Sequence, residues 1–240
     1  MCPRGSGILP PAFSLMYTLE DVWKEIDNCS FCKSESNQLQ HILGAGETKN
    51  PDLMIVFINP TSRNISSHRD WKGLRFPFIG RRRPWDIFEK VGWIDKDLLG
   101  EINQNKNAWS YGFAEKVLDY LKTRKLYITN IVKCTGQDAA LPTVSKIKSQ
   151  SHLFEKEVGL VNPKVIVAFG LLPTKALLKR DVKISDLYKE TVRSRKPQFS
   201  EAKVGGKKYK VFPCYYPIGR GNPKKALEMI GYLNSYLSNQ

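Results

Sequence analysis

The apolar run LMIVFI (53–58), stopped by Asn59 and Pro60, is the stretch from which the expected fold follows. Six consecutive apolar residues without alternation are typical of a strand that is buried on both faces of a sheet. Three later runs have the same character: LYITNIVK (126–133), KVIVAFG (164–170) and YKVFPCYYP (209–217). The sequence therefore predicts four strands, of which the first ends at an Asn-Pro pair.

Helical patterns separate these runs. They cover residues 18–28, 84–93, 111–123, 143–161, 173–179 and 223–237. Strands that alternate with helices predict an α/β fold, here a three-layer sandwich with a central, mainly parallel four-stranded sheet flanked by helices. Residues 181–208 are charged and are expected to be irregular or to form a hairpin. We expect a flexible extension at 1–15 and one domain over 16–240.

Composition limits the classes of protein and points to a partner. The chain is 41% hydrophobic and 25% charged, which excludes wholesale disorder, collagen and coiled coil. Lys and Arg number 38 against 23 Asp and Glu, a net charge of +15. Such an excess attracts polyanions, so nucleic acid is the first candidate, and a solubilising Lys-rich surface is the alternative.

Location is predicted from what the sequence lacks. No apolar run reaches the roughly 18 residues that span a bilayer, and the start MCPRGSGILPPAF has no apolar signal core. We expect a cytoplasmic protein, associated with the nucleoid in a prokaryote, that works as a monomer without a membrane.

Ligands of open α/β sheets bind outside the carboxyl ends of the strands. The residues at those ends are Asn59 and Pro60, the segment 130–134, Gly170 and the segment 215–220. Two of these four ends carry side chains able to read a polar planar ligand.

Four motifs in order give the chain a resemblance to the uracil-DNA glycosylase superfamily. FINPTS (57–62) and FPFIGRRRPWDIFEKVGW (76–93) are similar to consecutive stretches of the mismatch-specific uracil and thymine glycosylases, although Thr61 replaces a usual Gly. YITNIVKC (127–134) and NPKVIVAFG (162–170) are similar to the iron–sulfur thermophilic uracil-DNA glycosylases. The resemblance runs from about residue 29 to 238.

The resemblance implies roles for residues at the strand ends. Asn59 would position the attacking water; since an amide is a poor general base, the mechanism implied is dissociative, with an oxocarbenium-like sugar. Ile58, Phe78 and Asn130 would bind the base, Phe78 by stacking and Asn130 by reading the Watson–Crick edge. Phe76 lies two residues before Phe78, so one of the two rings could belong to the core.

The last motif departs from the pattern, because Tyr216-Pro217-Ile218 stands where many members carry His-Pro-Ser. Tyr216 either donates a hydrogen bond to the base or only packs. Gly219 and Arg220 fall where those enzymes insert a wedge into DNA, with a phosphate contact as the alternative for Arg220. Further DNA-binding residues are expected at two helix starts: Arg81, Arg82, Arg83 and Lys224.

The cysteines suggest a cofactor. Cys29-x-x-Cys32 and the distant Cys134 resemble three of the four thiolate ligands of a 4Fe–4S cluster in the iron–sulfur branch. The fourth place falls near Gln150, so His152 or Cys214 would have to substitute, and Cys214 completes the expected set. Free thiols or a disulfide are the alternatives.

The predicted function is that of a monofunctional DNA glycosylase. It would hydrolyse the N-glycosidic bond of a flipped deaminated base in duplex or single-stranded DNA and leave an abasic site. Uracil is the expected base, with a mismatched base or hypoxanthine next. The alternatives are a non-catalytic nucleic-acid-binding protein on the same scaffold and an iron–sulfur sensor.

Overall fold

A six-stranded sheet lies at the centre of the protein. The computed structural model describes residues 17–29, 39–106, 108–138, 140–219 and 221–239. Its strands are β1 Ala45–Gly46, β2 Leu53–Phe57, β3 Leu126–Asn130, β4 Val165–Phe169, β5 Ser200–Val204 and β6 Lys207–Cys214, in the spatial order β1-β3-β2-β4-β6-β5. The predicted extension at 1–15 lies outside the described residues, and the single domain expected over 16–240 stays a prediction.

The inner strands β3, β2, β4 and β6 run parallel and are the four that were predicted. Every residue of β2, β3 and β4 is buried, as their continuous apolar runs require. The prediction of four strands is nevertheless incomplete, because β1 and β5 add antiparallel edges and make the sheet mixed. β1 has only two residues, and β5 alternates buried with exposed side chains, so neither shows a continuous apolar run.

The described residues form eight α-helices and one 3-10 turn, Ile65–Ser67. The helices are α1 Leu19–Asp27, α2 Arg83–Lys90, α3 Lys96–Asn105, α4 Tyr111–Thr123, α5 Val144–Val161, α6 Leu171–Leu178, α7 Ile184–Ser194 and α8 Pro223–Leu237. Six of them were predicted, whereas α3 and α7 were not. Within 181–208 the expected irregular structure is corrected in its first part to helix α7, whereas the expected hairpin is present as β5 and β6.

The helices cover both faces of the sheet, which confirms the layered arrangement. Helices α2, α3, α4 and α8 pack on the face that carries Ile55 and Phe57. Helices α5 and α6 pack on the face that carries Met54 and Val56, and α1 packs against α5. Within the described ranges, no helix combines the length and the apolar character that crossing a membrane requires.

The connections determine where a ligand can bind. The segment after β2 leads to α2 on one face, whereas the segments after its neighbours β3 and β4 lead to α5 and α6 on the other. Where adjacent strands send their connections to opposite faces, a crevice opens at their carboxyl ends. In this chain the crevice lies beside Asn59, the second residue after β2.

A buried ion pair lies between α5 and the chain that follows β3. Lys133 and Glu157 are fully buried, and Lys133 Nζ donates to both Glu157 and Thr129. The hydroxyls of Tyr127 and Thr129 also donate to the Glu157 carboxylate, at 2.8 and 3.0 Å. Burial lowers the pKa of Lys133, and the Glu157 charge opposes that shift. The network ties α5 to the chain that continues β3.

We predict that Lys133→Met destabilises the protein by about 3–5 kcal/mol, because the Glu157 charge would stay buried without its partner. The control is Lys156→Met, whose ion pair with Glu25 is partly exposed and should cost at most about 1 kcal/mol. Urea unfolding of both variants measures the difference. Equal losses of unfolding free energy in the two variants would show that the buried ion pair contributes no more to stability than the exposed one.

Candidate active site

Phe57, the last residue of β2, is the centre of an aromatic cluster at the carboxyl end of the sheet. Its ring lies edge-on to Phe78 at 4.8 Å and to Tyr216 at 6.2 Å between centroids, and it stacks on Phe169 at 5.1 Å. Phe57 is also in register with Asn130 of β3. The structure thus brings the predicted residues Phe78, Asn130 and Tyr216 around one ring that the sequence did not single out.

Phe78 occupies a strained backbone conformation. Its φ of +73° lies in the left-handed region, which an aromatic residue rarely adopts. The carbonyl of Phe78 accepts hydrogen bonds from Trp85 Nε1 at 3.1 Å and from the Arg81 amide at 3.0 Å. Phe76, by contrast, is buried in the core against Trp109. Of the two rings, Phe78 is therefore the one at the site, held there by bonds to its backbone.

Asn130 carries an unpaired donor. The residue is only 2% exposed, and its Nδ2 has no hydrogen-bond partner within the described ranges. A buried donor without a partner costs about 1–3 kcal/mol. A ligand with an acceptor at this point would relieve that cost.

The amide of Asn59 is fixed by the loop that follows β3. Its Nδ2 donates to the carbonyls of Ala140 at 3.1 Å and Pro60 at 2.9 Å. Among the described residues no donor reaches its Oδ1, so that oxygen can accept from water. Gly136 lies so close that a Cβ there would be 3.0 Å from Asn59 Nδ2.

A cleft of about 290 Å³ opens beside Asn59 and is lined by residues 135–137 and 140–143 and by Lys146. Its lining does not include Phe78 or Asn130, so this cleft is separate from the aromatic cluster. Asn59 is part of its lining, so the cleft exposes this residue to solvent.

Tyr216 and Ile58 lie on different faces of the sheet. Burial raises the pKa of Tyr216, so its phenol stays protonated and can donate. Ile58, expected to bind the base, packs its side chain against the core of the opposite face, with Met54 and Val56. The Ile58 side chain therefore lies on the face opposite the Phe57 ring, and its role in binding the base stays a prediction.

A cationic cluster lies next to Phe78. The half-buried Arg81 has its pKa lowered by burial and by the like charges of Arg63 and Arg83. Arg82 instead pairs with Asp86 at 3.2 Å. Lys224 is exposed in the first turn of α8, and Gly219 adopts a positive φ of 59°. The predicted wedge Arg220 lies outside the described residues.

The cysteines are divided between the two faces of the sheet. Cys29 and Cys134 are buried on the α5 face, where their sulfurs lie 3.6 and 2.7 Å from Gln150 Nε2. Cys214 is buried on the α8 face, with its sulfur 3.8 Å from the Ala226 carbonyl. The sheet separates the two sites, which corrects the prediction that Cys214 completes a ligand set; Cys32 lies outside the described residues.

Comparison with known proteins identifies the family. Residues 43–237 match the model of the uracil DNA glycosylase superfamily. The chain belongs to the uracil-DNA glycosylase superfamily. It is 24% identical over 202 residues to the type-4 uracil-DNA glycosylase of Archaeoglobus fulgidus, covering 84% of this chain and 82% of the relative.

Two further relatives of the same name were found. The protein of Sulfurisphaera tokodaii is 24% identical, and the match covers 89% of this chain and 81% of the relative. The protein of Saccharolobus solfataricus is 26% identical, and the match covers 84% of this chain and 76% of the relative. The predicted family is confirmed, and with it the predicted enzyme class, a DNA glycosylase.

Sequence reasoning missed several residues of this superfamily member's site. Arg63 lies in a basic loop that offered no pattern to distinguish it, and Ala140 acts through a backbone carbonyl, which no sequence pattern records. Phe57 could have been predicted as a site residue, because it is the aromatic residue of the apolar run nearest to Asn59. It also lies on the same face of β2 as Ile55.

We predict that Arg63→Ala and Arg81→Ala each weaken binding to any DNA and reduce the slope of log affinity against log salt by about one. Both cations are expected to contact phosphates beside the aromatic cluster. Lys208→Ala is the control, because Lys208 pairs with Glu201 at the amino end of β6, the opposite end of the sheet. Fluorescence anisotropy over a salt series measures the slopes, and unchanged slopes in the arginine variants would refute the assignment.

Proposed function

We propose that this chain hydrolyses the N-glycosidic bond of uracil in DNA, after the nucleotide has flipped out of the base stack, and leaves an abasic site. The observation that carries the proposal is the buried, unpaired Nδ2 of Asn130, which is in register with Phe57, the residue whose ring contacts Phe78. The relatives are named type-4 uracil-DNA glycosylases, which supports uracil as the substrate.

The chemistry of Asn130 favours a deaminated base. The O4 atom of uracil is an acceptor that would satisfy the Nδ2 donor, whereas cytosine presents its N4 amino donor there and would leave both groups unpaired. Hypoxanthine and thymine carry an acceptor in the equivalent place. The amide therefore selects for deamination products and thymine against cytosine, and the choice among them depends on the shape of the pocket.

Phe78 supplies the stacking surface for the flipped base. Stacking on an aromatic ring contributes about 1–3 kcal/mol per base and tolerates any base. The bonds from Trp85 and Arg81 to the Phe78 carbonyl keep the ring in place before the base arrives. The Arg63, Arg81 and Arg83 cations lie where they would hold the flanking phosphates.

The reaction we propose is dissociative. The bond between C1′ and the base breaks first, the base leaves with the electron pair, and the sugar becomes oxocarbenium-like. Asn59 Oδ1 accepts a hydrogen bond from a water and turns the water lone pair toward C1′, since the Asn59 amide nitrogen is already held by Ala140 and Pro60. The neutral Tyr216 phenol donates to the leaving base oxygen.

The test uses labelled oligonucleotides that contain one uracil, hypoxanthine or mismatched thymine, in duplex and single-stranded form, followed by alkali. Strand scission at uracil is expected. Intact strands from a folded protein that still binds DNA would favour the non-catalytic alternative.

A cytoplasmic location, nucleoid association and a monomeric state stay predictions.

Asn59→Ala is expected to lower kcat/KM on the uracil duplex at least about a hundredfold, the usual scale for losing a positioned catalytic group. Gly136→Ala should lower it too, because the new methyl group presses on the Asn59 amide. Asn239→Ala, exposed at the end of the chain, is the control. An Asn59→Ala enzyme with the parent rate would remove this residue from the mechanism.

Asn130→Leu is expected to separate stability from activity. Replacing an unpaired buried amide by an apolar side chain should leave the unfolding free energy unchanged or raise it by up to about 1 kcal/mol. The same change should lower kcat/KM at least about a hundredfold, because the base edge loses its donor. Thermal unfolding and single-turnover kinetics measure the two effects, and a less stable variant with full activity would mean that Asn130 is only structural.

A further inference from the structure

We infer that the amide of Gln150, and not an iron–sulfur cluster, joins α1, the end of β3 and α5 in this protein. The inference concerns the α5 face of the sheet and does not depend on the proposed uracil excision. It rests on the donor chemistry of the residues that the structure brings together there.

Gln150 uses both ends of its amide. The residue is 1% exposed and lies in the second turn of α5. Its Oε1 accepts the backbone N–H of Lys133 at 2.7 Å, and its Nε2 faces the sulfurs of Cys134 at 2.7 Å and Cys29 at 3.6 Å. One side chain thus connects the helix to the chain after β3 and to the residue that follows the C-cap of α1.

This orientation does not suit an iron ligand. An amide N–H group is a donor without a lone pair to offer iron, whereas a cubane cluster requires four thiolates. Turning Oε1 toward the sulfurs would break its bond with Lys133 and leave that buried N–H unpaired.

No nearby side chain takes the fourth place within the described ranges. Cys214 lies on the other face of the sheet, and the charge of His152 acts on Glu25 of α1. Groups of three or more His, Cys, Asp or Glu residues able to hold a metal are absent from the part of the chain that the structure describes. The Gln150 amide, which occupies the fourth position, therefore does not fit a four-thiolate cluster.

The experiment compares iron content in three proteins produced and purified anaerobically with iron and sulfide supplied. The wild type and Gln150→Ala should both contain substoichiometric iron and no absorption band near 400 nm. Gln150→Cys supplies the missing thiolate and should gain about four irons per chain with the band. Circular dichroism checks that each variant folds.

When the variants fold, either of two results would overturn the inference. One is a wild type that carries about four irons per chain and loses them in Cys29→Ser. The other is a folded Gln150→Cys protein with no more iron than Gln150→Ala. If Gln150→Cys does not fold, the test is the melting temperature of the wild type with and without an iron chelator. We expect the chelator to leave this temperature unchanged. A lower melting temperature with the chelator would overturn the inference. Iron content is read without a DNA substrate, so its outcome is distinct from that of the excision assay.

Discussion

Burial of β2 on both faces is the constraint on which the rest of this structure depends. A strand whose five residues are all buried needs helices above and below it, so the connections from β2 and from its neighbours must leave in opposite directions. That divergence opens the crevice in which Asn59 lies. The same apolar run that stabilises the core therefore positions the residue proposed to orient water.

Three features of this structure are unfavourable on their own: the left-handed Phe78, the unpaired Asn130 donor and the ion pair of Lys133 with Glu157. Two of them are held by surrounding structure: Phe78 by Trp85, and the ion pair by the hydroxyls of Tyr127 and Thr129. Phe78 contacts Phe57 at the carboxyl end of β2, and Asn130 is the last residue of β3. Strain and unsatisfied groups of this kind cluster where a ligand is recognised.

Much of the fold could be predicted because apolar runs report burial directly. The inner strands and six helices follow from them, whereas β1 pairs only through two backbone residues and α7 buries only Ile184 and Thr191. Within the site, Asn59, Phe78 and Asn130 could be named from motifs. The Ala140 carbonyl that holds Asn59, and the position of Cys214 behind the sheet, depend on tertiary packing that no local pattern encodes.

The backbone of Phe78 has a consequence for how this protein can change. Glycine is the residue best suited to a φ of +73°, but it has no ring, and a non-glycine residue there costs on the order of 1 kcal/mol. The free energy of folding therefore favours glycine at position 78, whereas the proposed stacking on a flipped base requires the ring. A library of variants selected only for heat resistance should drift toward glycine at this position and lose the stacking surface. Retention of the ring across generations would then report selection on the substrate rather than on the fold.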